Sequence, residues 1–196
     1  MLNNTLYETI TASLVQDGYI IIKDALSPTL AQELLLSLDE THFKKAGISS
    51  SSHKHIDTNK RRDKICWLDD THKAQTEFLL FCKGLQEYLN RTLYLGLSYY
   101  EAHFAIYNED DFYEKHLDTF KGKKNRVVTT VYYLNENFTK EDGGALHIYN
   151  NEGKLLQSVI PTANTLVVFL SEQFPHEVLP AKKKRHSIAG WFRVDR

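Results

Sequence analysis

Eight short runs rich in β-branched and aromatic residues crowd the second half of this chain, and no helical pattern falls between them. They are LSYYEAHFAIY (97–107), FYEKHLD (112–118), RVVTTVYYLN (126–135), ALHIYN (145–150), LLQSVI (155–160), TLVVFL (165–170), HEVLP (176–180) and RHSIAGWFRV (185–194). Clusters of turn-forming residues separate them: NEDD, KGKKN, EDGG, NNEGK, PTAN and PAKKK. Strands this close in sequence leave no room for the crossover helices that parallel neighbours need. They must close into a barrel or fold as two facing sheets. The expected fold is mainly β with α, a double-stranded β-helix (jelly roll) buttressed by N-terminal helices.

The first third reads as that buttress. Leu6, Ile10 and Leu14 recur every four residues, and Gly18 follows as a stop. YIIIKDAL (19–26) has the β-branched density of a short buried strand. Ser27-Pro28 reads as a cap followed by proline at the first helical position, with Leu30, Leu34, Leu35 and Leu38 as its apolar stripe. A third helix is expected over 71–92, with Phe78, Leu79, Cys82, Leu85 and Leu89 on one side. Residues 42–64 show neither period and read as a long mobile loop. The chain is expected to form a single domain, 1–196. Residues 1–95 give helical support plus the loop, and 96–196 give the jelly-roll core.

The 24 Lys/Arg against 25 Asp/Glu leave a net charge of −1, which points to neither a nucleic-acid nor a membrane partner. The distribution is uneven, because residues 42–64 hold seven Lys/Arg against two Asp. Two cysteines, Cys66 and Cys82, are too few for a disulfide scaffold. The opening MLNNTLYETI has neither the basic start nor the apolar block of a secretory leader, so a reducing cytoplasm is the expected location.

His-x-Asp occurs twice, at His55/Asp57 and at His116/Asp118. A strand would aim both side chains of such a pair at one spot. The first copy lies in the loop, and metal ligands need packed support. The second ends a predicted strand and is the better candidate. A third ligand should come from another part of the sheet. His176 follows the apolar run TLVVFLS, while His103, His147 and His186 are read as structural or surface residues. Two histidines and one carboxylate leave open coordination positions, as in the facial triad of non-haem Fe(II) oxygenases.

Arg185 stands nine residues beyond His176. The PAKK turn would fold the two into a hairpin. Period 2 would then place Arg185, Ser187, Ala189 and Trp191 on one face. A buried arginine there needs an anionic partner, and a dicarboxylate would supply one. Alternatively, Arg185 closes a solvated basic turn with Lys182, Lys183 and Lys184. Residues such as Tyr107, Tyr113 and Trp191 are more often plain barrel core than ligand contacts.

These residues resemble the Fe(II)/2-oxoglutarate-dependent oxygenases. The stretches RRDKICWLDD (61–70), AIYNEDDFYEKHLD (105–118), VYYLNENFTKEDGGALHIY (131–149), FLSEQFPHEVLPA (169–181) and RHSIAGWF (185–192) resemble the bacterial prolyl 4-hydroxylase branch, related to the hypoxia-sensing prolyl hydroxylases. The resemblance implies His116, Asp118 and His176 as iron ligands. It implies Arg185 and Tyr133 at the distal carboxylate of 2-oxoglutarate, Tyr107 near its metal-bound end and Trp191 as a pocket wall. Ala189 stands where the hypoxia-sensing enzymes carry a hydroxyl residue. Fe(II), 2-oxoglutarate and O2 are the implied cofactors and cosubstrates, with ascorbate as an auxiliary reductant. The implied substrate is a prolyl residue of a protein or peptide that contacts loop 42–64, with a translation factor such as elongation factor Tu as a candidate. Two other readings stay open: hydroxylation of a free amino acid or other small molecule, and a non-catalytic jelly-roll metal-binding module.

Overall fold

A computed structural model of the chain describes residues 2–49, 54–55, 57–119 and 125–195. The elements run α1 (Leu2–Gln16), β1 (Tyr19–Ile22), α2 (Leu30–Leu36), β2 (Lys44–Lys45), β3 (Ile48–Ser49), β4 (Lys54–His55), β5 (Lys64–Trp67) and α3 (Lys73–Leu93). There follow β6 (Tyr99–Tyr107), β7 (Tyr113–His116), β8 (Arg126–Tyr133), β9 (Leu146–Tyr149), β10 (Leu155–Val159), β11 (Leu166–Leu170), β12 (His176–Val178) and β13 (Arg185–Arg193). All eight expected strands of the second half are present.

They form the two facing antiparallel sheets of a jelly roll. The large sheet has the order β1-β11-β8-β13-β6-β5-β2 and the small one β10-β9-β12-β7. Alternation along each strand of the large sheet divides its side chains between two cores. Phe104, Val128, Tyr132, Val168, Ile188 and Phe192 face the helices, where they meet Ile10, Leu34, Phe78, Cys82, Leu85 and Leu89. Ala105, Tyr107, Val131, Tyr133, Val167 and Phe169 face the small sheet, meeting Leu146, Ile148 and Val178. Because both faces are covered, these strands read as unbroken apolar runs rather than as apolar–polar alternation. The site lies in the inner of the two cores.

The first half departs from the sequence-based expectation in three places. The second helix begins at Leu30 with Thr29 as its cap, so Ser27 and Pro28 form the turn before it. Residues 42–64 are not structureless where described: β2 pairs with β5, and β3 with β4. Two-residue strands carry no readable period, and the partner edge decides them. β1, β5 and β2 also join the large sheet, which therefore draws on residues before 96.

Segment 57–62 closes the free edge of β7. Glu114 N–H donates to the Lys60 carbonyl at 2.8 Å, Arg62 N–H donates to the Phe112 carbonyl at 3.1 Å, and Arg61 bridges Tyr113. Such cover removes an exposed sheet edge. It also ties the basic segment to the strand that carries His116.

Candidate metal centre

His116 is the last residue of β7 and His176 the first of β12, and the two are paired directly across the sheet. Their rings lie 4.4 Å apart between centroids. Asp118 follows two residues later, in the bend that ends β7. Its Oδ1 is 3.7 Å from His116 Nε2, and its Oδ2 is 3.6 Å from His176 Nε2. The ligand atoms of all three lie within 4.8 Å of one another. These separations are too long for hydrogen bonds, so the groups surround a common point rather than satisfy one another.

The backbone selects the ring tautomers. His116 Nδ1 lies 2.7 Å from the Glu114 carbonyl, and His176 Nδ1 lies 2.9 Å from the Phe174 carbonyl. A carbonyl only accepts, so each Nδ1 carries the proton and each Nε2 lone pair is free for a metal. Burial, with His176 beside it, pushes the His116 imidazole down to about 3. Burial would raise the Asp118 carboxyl, but His176, His116 and Arg126 overcome that and hold it at about 2. At neutral pH His116 and Asp118 therefore offer a neutral imidazole and a carboxylate, and with His176 Nε2 they make up the donor set of a ferrous facial triad.

The flanks are packed. Tyr113 stacks on His116 with centroids 3.6 Å apart, and Phe169 meets His176 edge-on at 4.9 Å. Arg61 lies over Tyr113 at 4.5 Å and makes two hydrogen bonds to Asp63, at 2.5 and 2.8 Å.

The triad opens onto a cavity of about 140 Å³ between the sheets, which Tyr107, Val131, Leu146, Arg185, Ser187, Ala189 and Trp191 also line. Arg185 is only 1% exposed. Its Nε donates to the Gly144 carbonyl at 2.9 Å and its Nη1 to Ser187 Oγ at 3.2 Å. Among the described residues it has no carboxylate partner. The Tyr107 and Tyr133 rings flank its guanidinium at 4.8 and 5.1 Å. The Tyr133 hydroxyl is buried without a hydrogen-bond partner among the described residues, as is the Trp191 indole N–H. Burial pushes the Tyr133 phenol up to about 12, although Arg185 opposes the shift, so it remains a donor. A buried cation on the cavity wall, with the Tyr133 phenol beside it, suits a carboxylate ligand.

Arg185 reaches this position by a different route from the hairpin expected of PAKK. β12 lies in the small sheet and β13 in the large one, so 179–184 cross between sheets. Gly144 N–H donates to the Pro180 carbonyl at 2.9 Å, and Lys182 N–H to the Asp142 carbonyl at 2.8 Å, which pins that crossing. Gly143-Gly144 therefore does more than turn the chain. The side chain of His55 and residue 56 lie outside the described residues, so the other His-x-Asp copy has no placement.

Sequence reasoning missed His103. It is 2% exposed, lines the cavity and pairs directly across from Ala189. Its Nδ1 lies 3.2 Å from the Phe104 carbonyl. Burial, with Arg61 adding to it, pushes the imidazole down to about 3. Its parity with Ala105 and Tyr107 was the available signal. Thr129, bonded to Asp118, was also missed as a site residue.

A model of the 2OG-Fe(II) oxygenase superfamily matches residues 102–193. The chain is 34% identical to a Pseudomonas putida prolyl-4-hydroxylase of known structure, with a TM-score of 0.87 and 100% of both chains covered. A prolyl hydroxylase from Trichoplax adhaerens, solved in complex with a hypoxia inducible factor oxygen degradation domain peptide fragment, is 27% identical. Its TM-score is 0.86, with 97% of this chain and 90% of that one covered. The hypoxia-inducible factor prolyl hydroxylase of Caenorhabditis elegans is 28% identical over 94% of this chain, which spans 28% of that protein's length.

Proposed function

Because this chain belongs to the 2OG-Fe(II) oxygenase superfamily, in its prolyl hydroxylase branch, we propose that it hydroxylates a prolyl residue of a protein substrate. In this reading His116, Asp118 and His176 hold Fe(II). Arg185 and Tyr133 hold the distal carboxylate of 2-oxoglutarate, and Tyr107 and Trp191 form the adjoining walls. The observation that carries it is the fully buried Arg185, which has no carboxylate partner among the described residues and lines the cavity that the triad opens onto. When bound, ferrous iron supplies the redox chemistry that couples decarboxylation of 2-oxoglutarate to succinate with transfer of an oxygen atom from O2 to a C–H bond.

The chain's own residues prepare that chemistry. Asp118 offsets part of the metal charge, and the backbone-locked imidazoles present Nε2 without rearrangement. Arg185 and the protonated Tyr133 orient the cosubstrate, so its keto-acid end faces the triad. Val131, Leu146 and Trp191 make the cavity apolar between its two polar ends and exclude water.

The protein substrate is read from the surface and from the relatives. Lys44, Lys45, Lys60, Arg62 and Lys64 are exposed, whereas the charge of Arg61 is matched by Asp63. An acidic partner surface fits that group, and Trp67, 46% exposed beside the cavity, adds an apolar contact. A translation factor such as elongation factor Tu is the first substrate to try. We read 1–196 as one oxygenase domain working in a reducing compartment, consistent with two free thiols.

The test is an anaerobic titration with Fe(II) and 2-oxoglutarate, followed by succinate release with candidate proteins and peptides, against Arg185→Ala. A ferrous charge-transfer band, succinate and a +16 mass shift on a prolyl residue are the expected results. Absence of both band and succinate ends the oxygenase reading. A mass shift confined to small molecules replaces the protein substrate.

A further inference from the structure

Asp118 has two oxygens, and residues outside the ligand set treat them differently. Thr129 Oγ1 donates to Asp118 Oδ2 at 2.8 Å, and Ser171 Oγ lies 2.9 Å from Thr129 Oγ1. Thr129 and Ser171 are 2% and 0% exposed. The direction of this chain follows from counting protons. An ionised carboxylate can only accept, so the one hydroxyl proton of Thr129 is committed to Asp118. Ser171 must then donate to Thr129. The bonds run one way, Ser171 to Thr129 to Asp118, and each polarises the next.

The other oxygen is held differently. Oδ1 lies 3.7 Å from His116 Nε2 and 4.0 Å from Arg126 Nη1, neither a hydrogen-bonding distance. Were the carboxylate free to swing, it could chelate a metal through both oxygens and occupy a position that an oxygenase must keep open. A hydroxyl proton fixed on Oδ2 opposes that.

We propose that Thr129 is a positioning residue that holds Asp118 as a one-oxygen ligand through Oδ1, and that Ser171 fixes the direction of its hydroxyl. The proposal rests on the iron-site reading above. The hydroxyl reaches the site from the middle of β8, a strand held on both sides by β11 and β13. Thr129 is therefore set by the large sheet, while the two histidines are set by the small one. Asp118, in the bend beyond β7, is the ligand that needs an external guide.

The test uses the full chain and metal binding rather than turnover. Anaerobic calorimetry with Fe(II), and visible spectra with Co(II), are recorded for wild type, Thr129→Val, Thr129→Ser and Ser171→Ala. Thr129→Val should weaken metal binding roughly ten- to hundredfold, the usual effect of losing a partner of a ligand. It should also alter the Co(II) band intensity, which responds to coordination number. Thr129→Ser keeps the hydroxyl and should bind within a few-fold of wild type. Ser171→Ala should fall between them, with the metal-free melting temperature unchanged.

Wild-type affinity and spectrum in Thr129→Val overturn the proposal. A Thr129→Ser loss as large as that of Thr129→Val also overturns it, since the methyl group would then be what matters. If Thr129→Val fails to fold, Ser171→Ala decides, and an affinity equal to wild type overturns the proposal. Failure of the wild type itself to bind metal refutes the iron-site reading, an outcome distinct from any variant-specific loss.

Discussion

Arg185 is seated on Gly144. The guanidinium Nε donates to the Gly144 carbonyl at 2.9 Å, and Gly144 adopts φ +63°. A methyl group there would stand 3.0 Å from Arg185 Cδ and 3.3 Å from Ala181 Cβ. The backbone conformation alone would cost roughly 1–2 kcal/mol with a side chain present. Gly144→Ala should therefore raise the Kd for 2-oxoglutarate about tenfold by displacing the anchor, while Fe(II) affinity stays near wild type. Calorimetry with each ligand in turn checks this. Equal losses for both would place the damage elsewhere.

The ion pair beneath Tyr113 should behave as a buried pair. Asp63 is 1% exposed and is bonded twice by Arg61. Burial would lower the Arg61 guanidinium, but Asp63 outweighs it and raises the group above its ordinary range. Removing one partner strands the other charge, at a cost of about 3–5 kcal/mol. Arg61→Ala should lower the urea midpoint accordingly, and Arg61→Met with Asp63→Leu should recover most of the loss. An Arg61→Ala protein as stable as wild type would mean that water reaches Asp63.

Acid should weaken the metal-free fold through its neutral histidines. His103 is held at about 3 when folded, against an ordinary 6.5. Below pH 6.5 the unfolded chain binds a proton that the folded chain refuses until near pH 3. Stability therefore falls as pH drops through that window, by up to about 1.4 kcal/mol per pH unit for one such group. His116, also at about 3, adds to the slope. Urea midpoints at pH 7, 6 and 5 should show the decline, and His103→Leu should make it shallower.

Asp118→Ala should abolish measurable Fe(II) binding while leaving the two imidazoles in place, since backbone carbonyls hold both rings. The variant should remain folded by circular dichroism. Retention of micromolar Fe(II) affinity would show that two histidines suffice.

Salt separates a protein substrate from a small one. If the exposed lysines steer an acidic partner, kcat/KM should fall as NaCl rises through the range where the Debye length shortens from about 10 Å to about 3 Å. Lys44→Glu with Lys45→Glu should reproduce that loss at low salt. A salt-independent kcat/KM would remove the steering role.

The large-sheet strands β6, β8, β11 and β13 were legible because they are covered on both faces, which leaves dense apolar runs, and the shorter small-sheet strands were legible from the turn clusters around them. His116, Asp118 and Arg185 were legible as chemistry. What escaped depends on distance in sequence or on pairing. Ser171 meets Thr129 across 42 residues, which no local pattern reports. PAKK announces a turn, but nothing in it says that the chain changes sheets. β2 is two residues long and exists because β5 offers it an edge. His103 was within reach, because alternation places it with Tyr107 on the inner face.

The cross-strand pairing of His116 with His176 has a mechanical consequence. β7 and β12 are neighbouring rungs, and the other edge of β7 meets segment 57–62 rather than a further strand of the sheet. An ion gripped by both imidazoles would act as a rivet through that seam, so release of the metal and fraying of the rim would become one event. Loading with iron would then set the protein's resistance to local unzipping as well as its readiness to react.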